Sequence, residues 1–448
     1  MTDAAPDEAI EPTTPTGPAG PAGDAGPNGR TGPGDQARAG GEAEPDGEAG
    51  PDGEAGRNGW RGEAARTTDA PAALRARRLG DRLRAAAPAL AGYLAVRLVG
   101  VLVLLAAAQR AGRSLPGLLG RNDGTWFIDI AAHGYDTSIT YGARGLVNTN
   151  IAFFPLYAGL IRAATSVGFP ALYAGIALSA VAGLAAALGM YAVGVKLHSR
   201  ELGILLAVLW GALPHAVVEN MVYTESLFTA LCAWAVWAVL DRRWVLAGLL
   251  TLAAGLARAT ALALIAAVGL AALVGVVRRQ DGWRPWAAAA LAPLGLVGYW
   301  VWCAVALGRS DAWFWMQHEG WKSQVDFGRT TVRTIFATVT TQQQVAVYAT
   351  TIVLGLAVAL LAVLVLDRRW PLVVVAFGAT MVVLVVLDGG NYYHAKGRFL
   401  LPAFVLLIPA AAALVKASRT TRYAVLVTLT ALSAWYGAYL LVAWTRSP

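Results

Sequence analysis

Cysteine is nearly absent: the 448 residues hold only Cys232 and Cys303, both inside apolar runs. That excludes a disulfide framework and a cysteine-built metal site, and leaves two small buried side chains as the expectation. Histidine is scarce, with five residues, no HExxH and no pair at ligand spacing. No nucleotide-binding motif is visible, and no nucleic-acid partner is expected. Charge is thin as well. Only 14% of residues are charged and 56% are hydrophobic, against about 25% charged in an ordinary soluble domain. A soluble globular protein is therefore excluded.

What charge there is divides unevenly. Residues 1–70 carry 14 of the 28 acids and 5 of the 36 bases. Glycine recurs there every third position, from Gly17 to Gly32 and again from Gly47 to Gly62, the G-X-Y period of collagen. Asp35–Asp46 breaks the two short blocks apart, so residues 1–70 read as a disordered Gly/Pro-rich, collagen-like tail. With no apolar stretch at its start, the tail does not read as a signal peptide. Residues 71–86 form a basic juxtamembrane segment, and residues 87–448 an apolar membrane domain.

A bilayer core about 30 Å thick needs roughly 20 apolar residues in a helix. Candidate spans fall near 87–108, 170–195, 202–218, 223–240, 286–307, 345–366, 371–387, 399–415 and 423–444. The stretch 244–277 is broken at Gly255, Arg258 and Thr260 and reads as two short helices, up and back. The stretch 151–167, with Pro155 and Arg162, reads as a partly inserted segment. This gives an all-α polytopic protein with about 11 transmembrane helices. Arg75, Arg77, Arg78, Arg82 and Arg84 precede the first span and place the N-terminus in the cytoplasm. Short basic inner loops then fall at 196–201, 241–244, 278–285, 367–371 and 416–422.

The long segments, about 109–150, 308–344 and 388–398, fall on the outer side, and they hold the polar chemistry. The first contains Asp123, Trp126, Asp129, His133, Tyr135 and Asp136. The second contains Trp313, Trp315, His318, Glu319, Trp321 and Lys322. The third contains Asp388, Asn391, Tyr392, Tyr393, His394, Lys396 and Arg398. Glu225 and Arg258 fall at span ends on the same side. Ionisable groups at membrane depth are costly and mark function. Carboxylates supply a general base toward a hydroxyl, arginine and lysine a phosphate clamp, and tryptophan and tyrosine faces a platform for sugar rings. Together they suit sugar transfer from a lipid phosphate.

Ordered motifs add to this. Asp123-Gly124-Thr125-Trp126-Phe127, with His133-Gly134-Tyr135 after it, resembles the first-loop signature of the PIG-V-like mannosyltransferases. Ala152-Phe153-Phe154-Pro155-Leu156-Tyr157, Tyr223-Thr224-Glu225-Ser226-Leu227-Phe228, Arg258-Ala259-Thr260 and Lys396-Gly397-Arg398-Phe399-Leu400-Leu401-Pro402 are similar to that family's later blocks, in the same order. The resemblance implies a GT-C-like fold with a long first outer loop, and an inverting transferase that uses a polyprenyl-phosphate sugar, with mannose expected, on the outer face of the plasma membrane. It makes Asp123 the candidate base. Arg398, Arg258, Lys396 and His394 are the candidate phosphate-binding residues. Trp126, His133, Tyr135, Glu225, His318 and Lys322 are candidate substrate contacts. The acceptor is unspecified. No cofactor is required, and an acid pair such as Asp123 and Asp388 leaves a divalent cation open. Asn122 and Ala259 depart from the family's usual Trp and Pro.

Other roles stay open for the same residues. Asp123 suits a helix N-terminus, Glu225 an ion pair with Arg258, Arg398 a snorkel to the interface, and the tryptophans an interfacial belt. At the level of the whole chain, a polyprenyl-lipid or solute transporter is the competing reading, although almost all ionisable groups lie at span ends and no internal repeat is evident. A non-catalytic scaffold displaying the tail is the third.

Overall fold

The computed structural model describes residues 70–142, 146–444 and 446–448. The chain divides into two units, Met1–Thr67 and Thr68–Pro448. The expected collagen-like tail falls in the first and lies outside the described residues, as do the side chains of Arg75, Arg77, Arg78 and Arg82. The second unit is all-α apart from four two-residue strands.

The helices follow the apolar runs. First come α1 (Ala70–Arg110), α2 (Leu115–Leu119) and α3 (Asp123–His133), then a hairpin of β1 (Thr140–Tyr141) and β2 (Val147–Asn148). The stretch 151–167 forms α4 (Pro155–Thr165), with its proline in the first turn where no intrahelical donor is lost. Next are α5 (Ala171–Leu197), α6 (Arg200–Gly211) and α7 (Glu225–Leu240). The stretch 244–277 is two helices, α8 (Trp244–Gly255) and α9 (Ala261–Val277), separated at the expected break. Then come α10 (Arg284–Leu291), α11 (Leu294–Leu307), α12 (Ala312–Trp321), α13 (Arg329–Thr340), α14 (Val345–Leu366) and α15 (Leu372–Leu387). The last are α16 (Lys396–Phe399), α17 (Ile408–Lys416) and α18 (Arg419–Ala438). Strand β3 (Gln324–Val325) pairs antiparallel with β4 (Asp388–Gly389) and fastens the 308–344 segment to the end of α15.

Among the described residues, five helices have the length and apolarity to cross a bilayer. A sixth would be the pair Tyr393–Phe399 and Phe404–Lys416, bent by 77°, and α7, α8, α9 and α15 are shorter apolar helices. The protein is an integral membrane protein. Leu94, Leu98 and Leu102, one turn apart on α1, are 48–58% exposed, which suits a lipid-facing stripe rather than a wet surface.

Helix α5 shows why the centre packs tightly. It buries Gly175, Ser179, Gly183, Ala187 and Gly194 among other small residues. Small residues let transmembrane backbones approach, where dispersion replaces the missing hydrophobic drive. A Cβ on Gly203 of α6 would stand 2.5 Å from the Tyr191 carbonyl of α5, and one on Gly189 would stand 2.9 Å from Ala233 of α7.

Ion pairs define one end of the bundle. Lys196 Nζ meets Asp241 Oδ1 at 2.8 Å, Arg242 Nε meets Asp281 Oδ2 at 2.8 Å, and Arg422 pairs with Glu201. The turns α5–α6, α7–α8, α9–α10 and α17–α18 therefore lie together, as expected of the short basic loops. Glu225 at the start of α7 and Arg258 between α8 and α9 are at the other end.

Candidate active site at the polar end of the bundle

Asp123 opens α3 from a constrained position. Asn122, the residue before it, has φ 57° and ψ −120°, a region that costs most non-glycine residues and that asparagine tolerates better than the large Trp of the PIG-V pattern. The Asp123 amide donates to the Tyr223 hydroxyl at 3.3 Å. Gly124 lies against Val222, whose own amide donates to the Leu119 carbonyl at 2.9 Å. The first turn of α3 is thus seated on the segment that leads into α7.

Four charged side chains from four parts of the sequence meet there. Arg398 Nη1 donates to Asp123 Oδ2 at 2.8 Å. Arg398 Nε lies 3.4 Å, and Arg258 Nη1 2.7 Å, from Glu225 Oε1. The Glu225 contacts are ion pairs by proximity, since neither carboxylate oxygen completes a well-angled hydrogen bond among the described residues. Arg258 Nη1 also donates to Thr224 Oγ1 at 2.9 Å, and Arg398 Nη1 to Ser447 Oγ at 3.2 Å. Both guanidinium planes sit on aromatic faces: Arg398 is 5.1 Å from the Tyr223 ring and 5.0 Å from Phe399, and Arg258 is 5.8 Å from Phe399. Glu225 is 1% exposed and Arg398 6%, whereas Asp123 keeps 30% of its side chain open. Among the described residues no hydrogen bond reaches Asp123 Oδ1. One carboxylate oxygen is held and the other is without a hydrogen-bond partner among the described residues.

Gly397 makes this placement possible. A Cβ there would stand 2.6 Å from His215 Nδ1. His215 is itself buried, so the backbone of α16 must lie directly on the imidazole to present Arg398.

A cavity of about 1360 Å³ opens in front of the charged web. Asp123, Arg258 and Arg398 are on its wall together with Trp126, His318, Lys322 and His394. Trp126 stacks on Phe153 at 5.5 Å and meets Trp321 edge-on at 6.4 Å. His318 and Lys322 both bond Glu319, at 3.0 and 3.2 Å, and hold its carboxyl below the usual range. Asp388 lines the cavity too. Burial pushes its carboxyl up, opposed by the Lys396 ammonium and the Ser323 hydroxyl, which donates to it at 2.9 Å.

Three residues expected at the site are placed elsewhere. Lys396 is 2% exposed and off the cavity wall. Its ammonium donates to the carbonyls of Val385, at 2.5 Å, and Asp388, where it satisfies the C-terminal end of α15. A phosphate role for Lys396 is corrected to a helix-end role. His133 is exposed and bonds Asp129 one turn away at 2.9 Å. Tyr135 donates to the Phe153 carbonyl at 2.8 Å and packs 4.8 Å from Trp302. Neither touches the cavity. Glu225, also expected as a substrate contact, lies behind the wall and pairs with the two arginines. Asp129 and Asp136 brace the loop through Asn150, whose amide nitrogen Nδ2 donates to Asp129 at 3.2 Å and whose backbone N–H donates to Asp136 at 2.8 Å. Cys232 and Cys303 are free and buried. Among the described residues no three carboxylate, histidine or cysteine side chains gather as metal ligands. Asp123 and Asp388 both line the cavity, and one Asp123 oxygen is held by the Arg398 guanidinium.

Two wall residues carried no signal in the sequence. Arg446 and Ser447 line the cavity, and Arg446 has no carboxylate partner among the described residues. They follow the last helix outside any motif. Only their place just beyond an outer-side span end could have pointed to them.

This frame of helices around one polar cavity is similar to that of ArnT from Cupriavidus metallidurans, solved bound to undecaprenyl phosphate. The TM-score is 0.51 at 15% identity, over 79% of this chain and 65% of that one. The fold is GT-C-like. The chain spans just under two thirds of ArnT's length. The Archaeoglobus fulgidus oligosaccharyltransferase AglB, solved with an inhibitory peptide and a dolichol-phosphate, aligns more loosely, with a TM-score of 0.44 and 14% identity over 80% of this chain and 56% of that one. No family model matches this sequence, and no curated protein sequence does.

Proposed function

We propose that this GT-C-like chain is an inverting glycosyltransferase that moves a sugar from a polyprenyl-phosphate donor to an acceptor hydroxyl. The observation that carries the reading is Asp123. It is a half-open carboxylate at the wall of a large cavity, with one oxygen held by Arg398 at 2.8 Å. In the reaction Asp123 Oδ1 takes the acceptor's hydroxyl proton as that oxygen bonds to the anomeric carbon. The bond from that carbon to the phosphate oxygen breaks, and the lipid phosphate leaves with the electron pair. Arg398 orients the base. Arg258 and Arg446 stabilise the charge that develops on the phosphate, and His394 lies beside them. Trp126 and Trp321 supply ring faces for the sugar.

Mannose is the expected sugar because five ordered motifs resemble the PIG-V-like family. The basic turns at the opposite end support a cytoplasmic position for that end, with the cavity on the outer face of the plasma membrane. The test is transfer of label from polyprenyl-phosphate-mannose in membranes containing wild-type protein or Asp123→Asn. Undiminished transfer by the variant removes Asp123 as the base. A wild-type protein that neither binds the donor nor transfers its sugar removes the enzyme reading.

A further inference from the structure

The chain beyond the last helix is fastened to the site at several points. Arg121, two residues before Asp123, donates from Nη2 to the carbonyls of Leu440 at 2.8 Å and Trp444 at 3.1 Å. Trp444 lies 5.2 Å from the His394 ring, and its Nε1 donates to the Ser447 carbonyl at 3.4 Å. Ser447 is thereby held on the wall of the main cavity, with its hydroxyl among the groups that fix Asp123.

The protons in this corner can be counted. The Asp123 amide can only donate, so the Tyr223 hydroxyl accepts from it at 3.3 Å. The Arg398 guanidinium can only donate, so the Ser447 hydroxyl accepts from it at 3.2 Å. A bond of 3.2 Å joins the two hydroxyls. It uses one of their two protons, and neither hydroxyl makes a further hydrogen bond among the described residues. One proton is left over. Tyr223 is 1% exposed, and a donor stranded there would bear the full cost of its desolvation. Ser447 is half-buried on the cavity wall, where a free proton can meet water or a ligand. Tyr223 therefore donates to Ser447, and Ser447 presents the remaining proton to the cavity. Charge indicates what that proton meets. The guanidiniums of Arg398 and Arg258 are matched by Asp123 and Glu225. Arg446, beside Ser447 on the same wall, has no carboxylate partner among the described residues. A hydroxyl that only donates, next to an unmatched cation, suits an anionic oxygen.

We infer that Ser447 is a further contact for the donor's phosphate, giving its hydroxyl proton to a non-bridging oxygen while Arg446 supplies the charge. The inference rests on the transferase reading above and adds to it a residue outside every motif. The proton count ties that residue to the base, because one guanidinium nitrogen, Arg398 Nη1, holds both Asp123 Oδ2 and Ser447 Oγ.

The test uses the full chain in lipid nanodiscs, with geranyl phosphate and geraniol as binding probes and labelled polyprenyl-phosphate-mannose for transfer. Ser447→Ala is expected to raise Kd for geranyl phosphate about tenfold, with geraniol binding and the unfolding midpoint unchanged. Ser447→Thr keeps the hydroxyl and is expected to restore the wild-type Kd. A donor with sulfur at one non-bridging oxygen exists as two diastereomers. Sulfur accepts hydrogen bonds weakly, so one diastereomer is expected to show the higher KM in the wild type, and Ser447→Ala is expected to narrow that gap. A looser Arg398 alone would not narrow it. An unchanged Kd in Ser447→Ala, or an unchanged gap between the diastereomers, overturns the contact. If wild-type protein binds geranyl phosphate yet transfers no sugar, the transferase reading fails and the Kd comparison still decides Ser447. If it binds the phosphate no better than geraniol, the contact fails too.

Discussion

The two ends of the bundle use the same kind of ion pair to different ends. At the basic end, Lys196 and Asp241 meet at 2.8 Å with 43% and 27% of their side chains exposed. At the cavity end, Arg398 and Glu225 meet at 3.4 Å with 6% and 1% exposed. Exposed pairs are screened, contribute about 0–1 kcal/mol and can be lost. Buried pairs are poor stabilisers against an apolar replacement, yet breaking one leaves a charge with no water and no partner, at about 3–5 kcal/mol. The cavity end therefore holds an arrangement that stability alone does not require, a carboxylate with one oxygen fixed and one free. The basic end only needs positive charge in short turns, and its pairs can be rearranged.

That contrast can be broken experimentally. The largest expected effect is on chemistry. Asp123→Asn keeps the shape and a hydrogen bond to Arg398 but cannot take a proton, so transfer should fall about 10²–10⁴-fold with the thermal unfolding profile in detergent preserved. Glu225→Gln comes next. It leaves Arg398 and Arg258 facing a neutral group, with an expected loss of about 3–5 kcal/mol, read as a lower denaturation midpoint together with reduced transfer. Gly203→Val overpacks the α5–α6 contact without touching a charge and should cost about 1–3 kcal/mol, with donor affinity unchanged in the folded fraction. Lys196→Ala, at the other end, should shift stability by no more than about 1 kcal/mol and leave kcat and KM alone. A loss at Lys196 as large as that at Glu225 would erase the distinction between the two ends.

Much of the fold was legible because it is written in local patterns. The break at Gly255–Thr260 and the turn after Leu197 lie where composition and periodicity put them. The candidate residues were legible as a set, since carboxylates are rare enough outside the N-terminal 70 residues to stand out. Their partnership was not, because Asp123 and Arg398 are separated by 275 positions and nothing local registers a contact at that range. Lys396 shows the limit from the other side. It lies two residues from Arg398 in one short motif, but positions i and i+2 of a helix point about 200° apart. One cation of the motif therefore faces the cavity and the other faces the carbonyls ending α15. His133 bonds Asp129 one turn away on the exposed side of α3. Arg446 and Ser447 belong to no periodic segment.

The contact between Gly397 and His215 carries a consequence for the mutational landscape of the protein. A side chain of any size at position 397 collides with a buried ring and displaces Arg398, so in a saturation scan this position should tolerate nothing, although it bears no charge and touches no ligand. The cavity-lining position 126 should still accept other aromatic residues. A scan ranked by tolerance alone would then place a featureless glycine above most of the groups that line the cavity.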